Sequence, residues 1–174
     1  SIGEAWSLLT DTTLIVAVID SGVDMNHPDL ADNIWVNIGE IPGNRIDDDN
    51  NGYVDDVHGY NFYNDNADIQ DVHIHGTHMS GIIGAIGNND KGVSGLLWSV
   101  QLMPLRFTEE DGIGDTAKAI DAIHYAVANG ARIVNMSWTL SGPGLVSRAL
   151  RDVITQYSKQ GILFVTASGN GDSN

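Results

Sequence analysis

What most constrains the fold of this chain is its alternation of short β-branched runs with longer patterns of small, helix-compatible residues. Residues 13–19 read TLIVAVI, a continuous apolar run too short for a buried helix, so a strand buried on both faces is expected there. Comparable runs stand at 100–107, 131–137 and 162–167. Helical patterns lie between them at 77–86, 115–129 and 145–159, and in the second of these Ala119, Ile120, Ile123, Ala126 and Val127 share one face. Alternating strand and helix implies right-handed crossovers and an α/β fold, a doubly wound, mostly parallel sheet with helices on both faces. Ligands of such sheets gather beyond the carboxyl ends of the strands. Asp20, Ser137 and Asn170 each stand at or just past the end of a predicted strand.

Composition narrows the function. With 23 acidic against 8 basic side chains the net charge is −15, which repels phosphate backbones and argues against a nucleic-acid partner. No run approaches the roughly 20 apolar residues of a membrane span. The chain opens in an amphipathic segment without the apolar core of a leader, as a mature or trimmed product would. The absence of cysteine excludes disulfides and thiolate metal sites. A length of 174 residues fits one domain over 1–174.

The acids are clustered within an Asp/Asn/Gly-rich insertion at about 31–72, as Asp47, Asp48, Asp49, Asp55 and Asp56, then Asp65, Asp68 and Asp71. The first group follows D-x-D-x-N-G-x-x-D. Oxygens then fall at loop positions 1, 3, 5 and 9 (Asp47, Asp49, Asn51, Asp55), with Gly52 at the sharp turn and the Tyr53 carbonyl at position 7. His58 stands where the bidentate acid belongs, so Asp56 is expected to replace it, in a calcium loop without flanking helices. A solvated acidic surface is the plain alternative.

Three ordered segments carry candidate chemistry. The first predicted strand ends on Asp20-Ser21-Gly22. Residues 75–81 read HGTHMSG, and 163–170 read LFVTASGN. An aspartate after a strand commonly just caps a turn. His73, His75 and His78 could also form a metal set, although 75 and 78 lack the i, i+4 spacing of a helical zinc pair.

Taken together and in this order, the three segments resemble the aspartate, histidine and oxyanion-asparagine segments of the subtilisin-like serine proteases. The resemblance covers nearly the whole chain, as the N-terminal part of one subtilisin-like catalytic domain. It implies that His75 is a general base opening a helix, that Asp20 orients it, and that the Asn170 amide donates to an oxyanion, with His78 a buried structural histidine. It further implies that a protein or peptide substrate lies extended between Gly112-Ile113-Gly114 and Ser137-Trp138-Thr139, near Ala167-Ser168-Gly169. Two departures from the family pattern bear on that cleft. Ser137-Trp138-Thr139-Leu140 replaces Ser-x-Gly-Gly, and Ser168 stands where alanine is usual. The resemblance also implies a second Ca2+ site, made by the Asp29 carboxylate, the Asn89 side chain and the carbonyls of Gly87, Lys91 and Val93, and a secreted or cell-surface location. No Gly-Thr-Ser-Met-type segment occurs in the chain. The nucleophilic serine is therefore expected from a second chain or missing part, leaving this chain alone inactive. The alternatives are a serine-less pseudoenzyme or a calcium-binding structural module. Glu109, Glu110 and Asp111 precede the first substrate segment and should favour a basic side chain at P2 to P4, opposite Trp138.

Overall fold

The computed structural model describes residues 13–139 and 147–170. Five parallel strands form one sheet: β1 (Ile15–Asp20), β2 (Tyr60–Asn61), β3 (Gln101–Arg106), β4 (Ile133–Met136) and β5 (Leu163–Thr166), in spatial order β2-β3-β1-β4-β5. Among the described residues three helices connect them: α1 (His75–Gly84), α2 (Thr116–Ala128) and α3 (Arg148–Ser158). The α/β expectation holds, and each predicted strand and helix is present with ends shifted by a few residues. Of the third predicted helix, positions 145 and 146 lie outside the described residues, as do Leu140 and the N-terminal segment 1–12.

The sheet has two differently covered faces. Alternate residues of β1 divide between them, since successive strand side chains point to opposite sides. Ala17 and Ile19 join Met103, Leu105, Val134, Ala119, Ile123 and Leu150 beneath α2 and α3. Val16 and Val18 join Leu102, Val100 and Ala85, with Met79 and Ile83 of α1 packed on them. Helices start where side chains take up the free amides. Asp115 accepts from Ala117 N–H at the start of α2, and Ser147 from Leu150 N–H at the start of α3. On the α1 face the cover ends before β5. Leu163 and Val165, in register with Ile133 and Asn135, are 56% and 46% exposed.

The insertion is not wholly irregular. It contains a single 3-10 turn (Ala31–Asn33) and the edge strand β2, with Tyr60 beside Leu105. Two residues give too short a run to stand out in sequence. Trp35, Tyr60 and Phe62 are buried in the main core, where Tyr53, Tyr60, Phe62 and Tyr125 meet edge to face at centroid distances of 4.8 to 5.7 Å. The insertion is thus tied into the domain by aromatic packing. Phe62→Ala should cost about 3–5 kcal/mol in chemical denaturation, against about 0.5 or less for a side chain on a solvated loop.

Candidate active site

β1 ends on Asp20, whose Oδ1 accepts the Ser21 N–H at 2.8 Å. Both Asp20 oxygens face His75 Nδ1, at 2.8 and 3.0 Å. A ring nitrogen set between two carboxylate oxygens carries the proton, which leaves Nε2 as the acceptor. His75 is the first residue of α1 and its side chain is 41% exposed. Close approach of the helix start to the turn after β1 requires Gly76, because a Cβ there would run into the Gly22 carbonyl oxygen.

A pocket of about 230 Å³ opens beside the pair, and His73, Phe107, Thr108, Asp111, Gly112, Ser137 and Trp138 also line it. Three predicted substrate-segment residues are thereby brought to Asp20 and His75. The first segment is a tight hairpin: Thr108 bridges Gly114, Glu109 N–H donates to the Ile113 carbonyl, and Asp111 Oδ1 accepts the Ile113 N–H. Ile113, paired across from Glu109 beside the turn, is 67% exposed. Trp138 is turned inward, its Nε1 donating to the Ile19 carbonyl at 3.0 Å and its ring 4.9 Å from that of Phe107. Trp138, Thr139 and Ala167 share a second depression of about 270 Å³. Ser168, Gly169 and Asn170 are exposed beyond β5 and line neither pocket.

The histidine trio is not brought together. The rings of His73 and His75 are 6.5 Å apart, and His75 Nδ1 is already engaged by Asp20. His78 is not buried as expected. It is exposed on the outer side of α1 and lines a separate pocket of about 500 Å³ with Ile74, Ile82 and Val93. It sits three positions after His75, on a stretch of helix that no described element covers.

In the insertion, Glu40, Asp49 and Asp56 each bring an oxygen within 4.8 Å of the others, the one such trio among the described residues. Asn37 and Asn51 amides bridge Asp49 to Asp56. Asp47 accepts the Asn51 and Gly52 N–H groups, and Gly52 takes φ +96°, the turn expected at that loop position. Asp55 faces away, accepting from the Asn44 and Arg45 N–H groups. Glu40 was not legible in the motif. It is buried, and it accepts from the Asp48, Asp49 and Asp55 N–H groups. Tyr125 of α2 also escaped the sequence. Its hydroxyl donates to Asp56 Oδ2, and burial together with that carboxylate pushes its ionisation well above the tyrosine range. Burial and Asp65 likewise push Tyr60 up to about 12. A donor set of carboxylate oxygens is hard, and it fits calcium better than a softer metal.

The second predicted set gathers around Asp29, which is buried. Asn89 Nδ2 donates to Oδ1 at 2.7 Å and Val93 N–H to Oδ2 at 3.0 Å. The Asn89 bond, ahead of the Val93 amide and the His27 and Lys91 charges, outweighs burial and holds this carboxyl below the usual aspartate range. The Lys91 N–H donates to Asn89 Oδ1, which closes the 87–93 turn over Asp29. Calcium here requires Asn89 to present its amide oxygen.

Comparison with known proteins bears on all of this. The family profile described as the Subtilase family matches residues 11–174. The chain is 41% identical over 159 residues to Subtilisin-like protease 1 of Plasmodium berghei (strain Anka), a match covering 91% of this chain and 26% of that protein. It is 30% identical over 159 residues to the thermophilic serine proteinase of Bacillus sp. (strain AK1), covering 91% and 33%. Thermitase of Thermoactinomyces vulgaris is 26% identical over 167 residues, covering 96% and 51%. The chain thus spans between a quarter and a half of the length of these relatives.

Asp71 generates a pH prediction. Burial pushes its carboxyl up, but donors from Thr77, the His73 N–H and Ser21 outweigh that and hold it below the ordinary range. A depressed folded-state value stabilises the fold above the unfolded aspartate value of about 3.9, and the contribution disappears as pH falls through the folded value. The stability difference between wild type and Asp71→Asn should therefore be constant above about pH 5 and shrink in acid, as read from denaturation midpoints across pH.

Proposed function

This chain belongs to the subtilase family, and we propose that it supplies Asp20, His75 and the oxyanion donor Asn170 of a serine endopeptidase. The observation that supports the reading is the paired contact of His75 Nδ1 with Asp20 at 2.8 and 3.0 Å. That contact fixes the tautomer, so Nε2 can accept a serine proton during attack on the peptide carbonyl. The same nitrogen returns the proton to the leaving amine, while Asp20 stabilises the transient imidazolium. The Asn170 amide donates to the oxyanion. On this reading residues 1–174 are part of a single catalytic domain whose serine comes from a second chain or a further part of the protein. The exposure of Leu163 and Val165 supports a further covering partner, because parallel sheets are buried on both faces.

Substrate would lie extended between the 112–114 hairpin and residues 137–139, with 167–169 beyond, the acids at 109–111 favouring a basic side chain. Calcium would be held by Asp49 and Asp56, with Glu40 supplying the acid missing from the loop motif. Asn51, with its amide turned to present the oxygen, and the Tyr53 carbonyl complete that set, Asp47 shapes the turn, and Asp55 does not take part. Asp29, Asn89 and the carbonyls of Gly87, Lys91 and Val93 would hold a second ion. Bound calcium offsets the mutual repulsion of these carboxylates and so rigidifies the insertion. A secreted or cell-surface protein accords with these sites.

Two measurements test the reading. In the intact protein, His75→Ala should reduce kcat/KM by about 10⁴-fold or more, and a fluorophosphonate probe should label a serine outside these 174 residues. Retained activity in His75→Ala would reject the assignment. Chelation should lower Tm and open 42–60 to proteolysis, the bound ion contributing about 2.7 kcal/mol at a hundredfold excess over Kd. Glu40→Gln should raise the calcium concentration needed to restore that Tm. A melting curve unmoved by strong chelator, with no metal in elemental analysis, would rule calcium out.

A further inference from the structure

Helix α1 begins in an unusual way for a helix that carries a base on its first residue. Its cap position is Ile74, with φ 64° and ψ −15° and no side-chain hydrogen bond to the helix amides. A β-branched residue in the left-handed region is strained. At 83% exposure its side chain has little packing to hold it there. The conformation must be held through the residues on either side of it.

That holding falls to one carboxylate. Asp71 Oδ1 accepts the His73 N–H at 3.0 Å, and Oδ2 accepts the Thr77 N–H at 2.8 Å and the Thr77 hydroxyl at 2.5 Å. Asp71 thus caps α1 from three residues before the cap position and brackets Ile74 on both sides. Its Oδ1 also accepts the Ser21 hydroxyl at 2.8 Å, and Ser21 Oγ in turn accepts the Gly76 N–H at 3.0 Å. Ser21 follows Asp20 and Gly76 follows His75. The chain Asp71–Ser21–Gly76 therefore runs one residue over from the Asp20–His75 bond and parallel to it. Four donors converge on this side chain, and only a carboxylate offers enough acceptor sites on two oxygens; an amide would turn a donor toward one pair of them. The lowered Asp71 carboxyl range is consistent with this convergence.

We propose that Asp71 is a positioning residue for the His75–Asp20 pair, locking the first turn of α1 onto the end of β1 through Ser21 and Thr77. The inference rests on the protease reading, in which His75 must meet both its carboxylate and a serine within narrow geometric limits.

The test is made in the intact protein on a peptide substrate, with Asp152→Asn on the exposed side of α3 as a charge-matched control. Asp71→Asn should lower kcat about 10- to 100-fold with KM changed less than about twofold, and should shift the acid limb of kcat/KM. Ser21→Ala cuts the link to β1 but keeps the charge, and should lower kcat in the same sense with KM unchanged. If Asp71→Asn fails to fold, Ser21→Ala decides the question by the same split of kcat against KM. If His75→Ala is inactive while the folded Asp71 and Ser21 variants keep wild-type kcat and acid limb, the positioning role is overturned and the protease reading stands. If His75→Ala stays active, the protease reading itself has failed.

Discussion

Asp20 is a carboxylate with 4% of its surface left to water, and such a group is tolerated only where donors replace the solvent it has lost. The Ser21 N–H and His75 Nδ1 replace it. Both depend on the chain turning sharply at the carboxyl end of the central strand, where β3 and β4 flank β1. Val23 N–H then donates to the Ile69 carbonyl and Val72 N–H to the Ser21 carbonyl, so the end of the insertion is sewn onto that turn. The sheet centre, the close of the insertion and the start of α1 therefore hold one another in place around a single buried charge.

The large negative charge is managed in a particular way. Between described residues the only basic side chain within ion-pair distance of a carboxylate is His75, at Asp20. Elsewhere the acids accept backbone N–H groups. Glu40 takes three, and Asp47 and Asp55 take two each. Carboxylates used as turn-makers let a long segment with little regular structure satisfy its amides locally, the usual role of Asp and Asn side chains in turns. The same arrangement concentrates charge where a divalent cation would relieve it.

The parallel sheet and its helices were legible because β-branched runs and small-residue helices have different periods and lengths. Asp20 and His75 were legible because their segments are distinctive and local. Residues whose role depends on distant partners were not. Glu40 lies well before the loop motif, Tyr125 is one aromatic among several on a helix, and β2 is two residues long. Asp71 read as one more acid of the insertion, although its place four residues before His75 and six before Thr77 is that of a carboxylate reaching a helix start. His78 shows the reverse failure. A histidine within a helix of small residues looked buried, but burial is decided by what packs on that face.

The strand order has a consequence for how the molecule assembles. Among the described residues β2 pairs with β3 and with no other strand, and β3 is made about forty residues later in the chain. In synthesis from the N-terminus, the insertion is therefore complete before its place in the sheet exists. Until β3 docks beside β1 it can hold only the local turns built by its own aspartates and asparagines. The segment that closes the insertion is also the one that delivers His75 to Asp20, across 55 residues of chain.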